Sequence, residues 1–161
     1  MDIDMEKEMA DSRKVAFAGI DPGKRGALVI LWDDDCDAIR IPFDEFAYRD
    51  ALRCLDPRRT IATVEHVGAM PGQGSVSTFS FGQNFGFILG LLTAFRIPFI
   101  LVRPQKWKKE YSCTSDKNTS VAVAKRLFPW FNLKRTARCV KDDDGLAEAL
   151  LLAHYGRTHH G

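Results

Sequence analysis

The stretch that decides the fold is Val15-Ala16-Phe17-Ala18-Gly19-Ile20-Asp21, followed at once by Pro22-Gly23. A short apolar run closed by a turn signal reads as a buried strand, with Pro22-Gly23-Lys24-Arg25-Gly26 as the turn. The aspartate is out of place. An ionised carboxylate in an apolar setting is costly unless it is paired or binds a metal ion. Two more acids repeat the anomaly. Glu65 sits in Ile61-Ala62-Thr63-Val64-Glu65-His66-Val67, and Glu148 in Leu146-Ala147-Glu148-Ala149-Leu150-Leu151-Leu152-Ala153. Several such groups meeting at one point suggest a divalent-cation site and metal-dependent nuclease chemistry.

Working outward, Ala27 to Trp32 reads as a second strand paired as a hairpin with the first. Asp33-Asp34-Asp35 makes a turn and Ala38 to Ile41 a third strand, giving an antiparallel meander. Phe43, Phe46, Ala47, Ala51, Leu52 and Leu55 have helical spacing, and Asp56-Pro57 ends that helix. Thr60 to Val67 is a fourth strand. A helix separates it from the meander, so it can pair in parallel with the first strand. Gly68 to Ser77 reads as an exposed loop. Thr78 to Phe95 is a long apolar helix with Gly82, Gly86 and Gly90 along one face. Ile97 to Val102 is a fifth strand. A short helix starts after Pro104, another runs from about Asp116, its cap, to Phe128, and the last from about Asp143 to Tyr155. This order of elements reads as a mixed α/β sheet flanked by helices, with no internal repeat.

With 161 residues, 45% hydrophobic and 27% charged, the chain is ordinary for one soluble globular domain. Residues 15–156 are expected to form that domain. Residues 1–14 read as a flexible acidic tail, unlike a secretory signal, and 157–161, with His159 and His160, as a C-terminal tail. No apolar run is long enough to span a bilayer, so no membrane partner is expected. Cys36, Cys54, Cys113 and Cys139 contain no C-x-x-C pair and read as reduced thiols. The expected setting is cytoplasmic, in a bacterial or phage-infected cell, with an organelle left open. Net charge is only +2, yet Arg96 to Lys141 carries twelve basic residues against Glu110 and Asp116. That segment suggests a polyanionic partner.

Asp21 and Glu65 fall at the C-terminal ends of strands expected to be parallel neighbours, where ligands gather in open α/β sheets. Asp144 and Glu148 are four apart on the last helix and share a face. Four carboxylates suit Mg²⁺, with Mn²⁺ as a substitute, and two ions about 3.5–4 Å apart could clamp an in-line displacement at phosphorus.

Three motifs in order now resemble a known family. Gly19-Ile20-Asp21-Pro22-Gly23 is similar to the opening strand of RuvC-type Holliday junction resolvases. Val64-Glu65-His66-Val67 is similar to their second acidic strand, and Lys141-Asp142-Asp143-Asp144-Gly145-Leu146-Ala147-Glu148-Ala149-Leu150-Leu151-Leu152-Ala153 to their final acidic helix, most of all in the chloroplast and phage-like branch. The resemblance covers about residues 15–156. It implies an RNase H-like fold, a homodimer and Mg²⁺-dependent paired nicking of four-way DNA junctions. It matches Asp21, Glu65 and Glu148 to catalytic acids. Asp144 stands where relatives have a histidine or aspartate shortly before the last acid, although their spacing is commonly three. Asp143 competes for that role, but a residue five before Glu148 points off its face.

The family pattern also gives Lys117 a role beside the scissile phosphate, offsetting transition-state charge. Lys106 and Lys108, flanking Trp107, are expected on a DNA-facing side, with Arg103 and Lys109 in the same basic segment. Phosphate contacts of this kind carry no sequence information. In relatives the loop after the second acidic strand approaches the junction centre, so Gly72, Gln73 and Gly74 are expected near unstacked bases, and Phe79 or Phe81 as a wedge into the branch. His66 reads as a packed residue. The long helix, apolar nearly all round, must bury two faces, one on the sheet and one on a two-fold mate. Competing readings are a broader branched-DNA or flap endonuclease, a non-catalytic nucleic-acid-binding module, and an actin-like or sugar-kinase fragment. The chain is short for the two lobes of the last.

Overall fold

The computed structural model describes residues 14–34, 37–66, 68, 72 and 74–161. Of the expected acidic tail, all but Lys14 lies outside the described residues. Five strands and five helices are formed among those described: β1 (Ala16–Asp21), β2 (Ala27–Trp32), β3 (Ala38–Pro42), α1 (Glu45–Arg53), β4 (Thr60–Glu65), α2 (Ser75–Ala94), β5 (Phe99–Val102), α3 (Pro104–Glu110), α4 (Lys117–Leu127) and α5 (Asp144–His160). The sheet order is β3-β2-β1-β4-β5. β1 pairs antiparallel with β2 and parallel with β4, with Ile20 opposite Val64, so Asp21 and Glu65 end neighbouring strands. β4 pairs in parallel with β5, where Glu65 faces Val102.

Alternation along the strands splits the core into two layers. Ala16, Ala18, Ile20, Leu28, Ile30, Ala62 and Val64 pack on one side with Tyr48, Ala51 and Leu52 of α1 and Ile88 and Leu92 of α2. Ala27, Val29 and Leu31 pack on the other with α3, α4 and the buried length of α5. Gly19 and Asp21 alternate out of the first layer and therefore face α5.

That face is crossed at very short range. A Cβ built on Gly19 would collide with the Ala149 carbonyl and the Ala153 backbone of α5. One on Gly145 would strike the Arg25 carbonyl, and one on Gly156 the Thr63 hydroxyl. Glycine at these three positions lets α5 touch the β1 backbone at Gly19, the turn backbone at Gly145 and the Thr63 side chain at Gly156. α5 is buried from Gly145 through Ala153, hence its lack of an apolar stripe in the sequence. Glu148 lies one residue before the Ala149 contact, so the packing delivers it to the strand end that carries Asp21.

Several limits differ from expectation: β4 ends at Glu65 rather than Val67, and β5 begins at Phe99 rather than Ile97. α2 begins at Ser75, three residues early, because Gly74 with extended backbone serves as its N-cap. α5 runs to His160, so 157–160 is helix rather than tail, with His159 Nε2 2.8 Å from Glu110 Oε2. Asp116 caps α4 as expected, its side chain accepting from the Asn118 N–H. Among the described residues no helix is long and apolar enough to cross a membrane. Cys54, Cys113 and Cys139 are free thiols.

Replacing Gly19 by alanine must push α5 off the sheet. Chemical denaturation should show Gly19→Ala destabilised by about 3 kcal/mol or more. Gly68→Ala, with open space around the site, should stay within about 0.5 kcal/mol of the parent.

Candidate active site

Asp21, Glu65 and Glu148 line one cleft of about 350 Å³, with Gly23 to Gly26, Pro104, Lys108 and Lys117 around them. β1, β4 and α5 each supply one carboxylate. Asp21 Oδ1 accepts from the Gly23 N–H at 3.0 Å, which fixes the turn after β1 and aims the second oxygen elsewhere. Glu65 is 6% exposed, and its Oε1 accepts from the buried indole N–H of Trp107 at 3.0 Å. Glu148 is 5% exposed. Its Oε1 accepts from Lys108 Nζ at 2.7 Å and from Ser120 Oγ at 3.3 Å.

The charges strain one another. Burial pushes Asp21 up to about 6, and the negative charges of Glu148 and Asp144 add to it against the Gly23 hydrogen bond and Lys117. Burial pushes Glu65 up to about 7, helped by the charges of Asp21 and Glu148 and opposed by Trp107 and Lys108. Burial also pushes the Tyr48 phenol up, with the Asp21 charge contributing. Burial first, and neighbouring negative charge second, thus raise the proton affinity of Asp21 and Glu65.

Asp144 stands apart. It lines a second cleft of about 570 Å³, bordered also by Arg25, Arg135, Lys141 and Lys117. Burial acts to raise Asp144, but the Lys117 hydrogen bond and charge outweigh it and hold the carboxyl below its ordinary value. Lys117 Nζ is 2.5 Å from Asp144 Oδ2, and the same contact raises the lysine. Asp143, the competitor for Asp144's role, is differently engaged. It caps α5 through the Leu146 N–H and is held by Arg135.

As the side chains stand, no three acidic, histidine or cysteine groups among the described residues are gathered tightly enough to hold an ion. Lys108 and Lys117 hold Glu148 and Asp144 in its place. The donor chemistry nonetheless fits a hard dication. The set is all carboxylate oxygen, partly buried, mutually repelling and open to the cleft. Asp21, Glu65 and Glu148 would hold it, with Asp144 in the adjoining cleft across Lys117.

The remaining candidates scatter. Arg103, Lys106 and Lys109 are exposed on and beside α3, whereas Lys108 on the same helix points into the cleft. Phe79 is 68% exposed. Phe81 is half-buried and stacks on Phe85, which stacks on His66. Gly72 has φ +81° and Gly74 precedes α2, while Gln73 lies outside the described residues. Trp107 and Ser120 were missed as partners of the acids. The only hint for Trp107 was a large aromatic placed between lysines.

No protein-family model matches the chain, and no curated protein does. Solved structures do. Thermus thermophilus RuvC in complex with a Holliday junction substrate aligns over 90% of this chain and 97% of that one, at 14% identity with a TM-score of 0.60. Another T. thermophilus RuvC structure aligns over 89% and 96%, at 17% identity with a TM-score of 0.57. The yeast mitochondrial Holliday junction resolvase Ydc2 aligns over 92% and 81%, at 15% identity with a TM-score of 0.49. The fold is therefore the RNase H-like one seen in RuvC.

The raised acids make a stability test. Protons on Asp21 and Glu65 favour the folded state, so without divalent ions stability is greatest below their ordinary values. It is lost as pH rises from about 4 through 6 and 7. In EDTA, melting temperature should fall over that window, and Asp21→Asn should be more stable than the parent at pH 8 by roughly 1–3 kcal/mol. A less stable Asp21→Asn protein at pH 8 would argue against the repulsion.

Proposed function

We propose that this chain is an endodeoxyribonuclease selective for four-way DNA junctions, which it resolves by paired nicks as a homodimer with Mg²⁺ in the cleft. The observation that carries this is the meeting of Asp21, Glu65 and Glu148, from three distant parts of the chain, in one cleft beside Lys24, Arg25, Lys108 and Lys117. The RuvC fold supports it, since one RuvC neighbour is described with a Holliday junction substrate.

Bound divalent ions would supply an activated water and charge neutralisation at the phosphoryl oxygens. The chain's own residues do the rest. Asp21, Glu65 and Glu148 provide the oxygen donors, and Asp144 adds a fourth from the adjoining cleft. Trp107 fixes one oxygen of Glu65 by its indole N–H, which keeps the carboxylate in one rotamer. Lys108 and Lys117 already bind oxyanions at hydrogen-bonding distance. A phosphodiester entering the cleft offers them the same kind of oxygen, and Lys117, with its side chain 66% exposed, stands at the mouth. Arg103, Lys106 and Lys109 would track the backbone outside the cleft. Phe79, exposed near the start of α2, fits a wedge at the branch point better than Phe81, whose ring is already stacked.

Pairing of cuts needs two sites in opposite orientation, which a two-fold axis provides. The glycine face of α2 suits that axis. Gly82, Gly86 and Gly90 are exposed with nothing within 4 Å of a built Cβ, on a helix whose second half, from Phe85 to Leu92, is apolar. A broader branched-DNA nuclease on the same fold would share every group named so far and differ only in dimer geometry.

Glu65→Gln and Asp21→Asn should each reduce Mg²⁺-dependent cutting of a labelled four-way junction by roughly a thousandfold, the loss expected when a charge-stabilising donor goes. Gel-shift affinity in EDTA should be retained. Loss of binding with cutting per complex intact would oppose the assignment. Equal cutting of junctions and simple flaps by the parent would favour the broader nuclease, and ATP turnover without nicking a different class.

Because nothing packs on Gly86, Gly86→Arg should fold normally. Light scattering after size exclusion should show a dimer for the parent and a monomer for this variant, with nicks on opposite strands no longer paired. A monomeric parent would remove the two-fold arrangement.

A further inference from the structure

Resting on this nuclease reading, we infer that Arg135 and Asp143 form a clamp that sets where the acids of α5 stand relative to Asp21. Arg135 lies in the irregular segment between α4 and α5, and in the sequence it stands out only as one of the twelve basic residues from Arg96 to Lys141. Its guanidinium grips Asp143 with two bonds, Nε to Oδ2 at 2.7 Å and Nη2 to Oδ1 at 3.0 Å. The same Nη2 also reaches the carbonyls of Arg25 and Gly26, in the turn that follows Asp21. Asp143 is 6% exposed. Its Oδ1 accepts the Leu146 N–H at 2.9 Å as the cap of α5, and its own N–H donates to the Leu133 carbonyl at 2.8 Å.

One guanidinium thus ties the first turn of α5 to the β1–β2 turn, and the contact of Gly145 on the Arg25 carbonyl closes the same junction. Asp21 stands four residues before Arg25, and Glu148 five after Asp143. Slack at this junction would let the two carboxylates separate along the axis of α5. A planar fork holding two carboxylate oxygens and a carbonyl fixes direction as well as distance, which a lysine cannot do. Asp143 is therefore committed to Arg135 and to its cap. Arg135 is a positioning residue, acting on the reaction through the carboxylates it spaces.

The test uses Arg135→Ala, Arg135→Lys and Asp143→Asn in the full chain. Asparagine caps a helix as well as aspartate, so the last variant loses the ion pair and keeps the cap. Calorimetric titration with Ca²⁺ should show affinity weakened about 10–100-fold in all three, the range found when groups that orient metal ligands are removed. kcat for junction cutting in Mg²⁺ should fall by a similar factor, with junction affinity in EDTA unchanged. Unchanged Ca²⁺ affinity and kcat, with only the melting temperature lowered, would overturn the clamp. So would tighter Ca²⁺ binding by Arg135→Ala, because freeing Asp143 strengthens the site only if Asp143 is itself a ligand. If Arg135→Ala fails to fold, Asp143→Asn decides by the same measures. A parent chain that binds neither Ca²⁺ nor Mg²⁺ overturns the clamp together with the nuclease reading beneath it, whereas a parent that binds and variants that bind equally overturn the clamp alone.

Discussion

The missing side chain at Gly19 is the constraint on which the site depends. It lets the backbone of α5 rest on the backbone of β1 at Ala149 and Ala153. Gly145 and Gly156 extend the contact to the Arg25 carbonyl at one end and the Thr63 hydroxyl at the other. A helix seated this closely has little freedom to slide or roll. Its one buried acid, Glu148, must then enter the space beyond the end of β1, where Asp21 points. Parallel pairing of β1 and β4 brings Glu65 to the same place. Packing and chemistry share one cause.

The cost is electrostatic. Two of the carboxylates are largely withdrawn from water, and Asp21 and Glu65 hold protons more tightly than free acids do. The Trp107 indole, gripping Glu65, and Lys108 and Ser120, gripping Glu148, offset part of that cost, and the charge of Lys117 acts on Asp21. No single cation serves all three carboxylates. Lys24, Arg25, Lys108 and Lys117 line the same cleft, but Lys108 is paired with Glu148 and Lys117 with Asp144. Carboxylate oxygens from three elements that share one open cleft are a donor set that a hard dication would take.

Much of this was legible in the sequence because strand periodicity and misplaced charge are local signals. Asp21, Glu65 and Glu148 each stood out as an acid within an apolar run, and the separation of β4 from the meander by α1 implied its parallel pairing. The start of α2 and the end of α5 were misjudged. Gly74 caps without a side chain, and His159 and His160, polar and terminal, looked like tail. The α5 contact at Gly19 could not be read, since a glycine in a strand does not announce what crosses it. Trp107 and Arg135 were equally hidden, because their partners lie 42 and 8 residues away and are chosen by tertiary packing. Lys108 shows the same limit. The other lysines of α3, Lys106 and Lys109, are exposed, and only the direction of one side chain sets Lys108 among the acids.

The central claim is that Asp21, Glu65 and Glu148 share a divalent ion. The direct test is anomalous diffraction from crystals of the chain soaked in Mn²⁺. The account predicts a peak within coordination distance, about 2.0–2.3 Å, of carboxylate oxygens from at least two of the three residues, with Lys108 displaced from Glu148. Manganese bound only elsewhere, with the Lys108 to Glu148 pair intact, would contradict it.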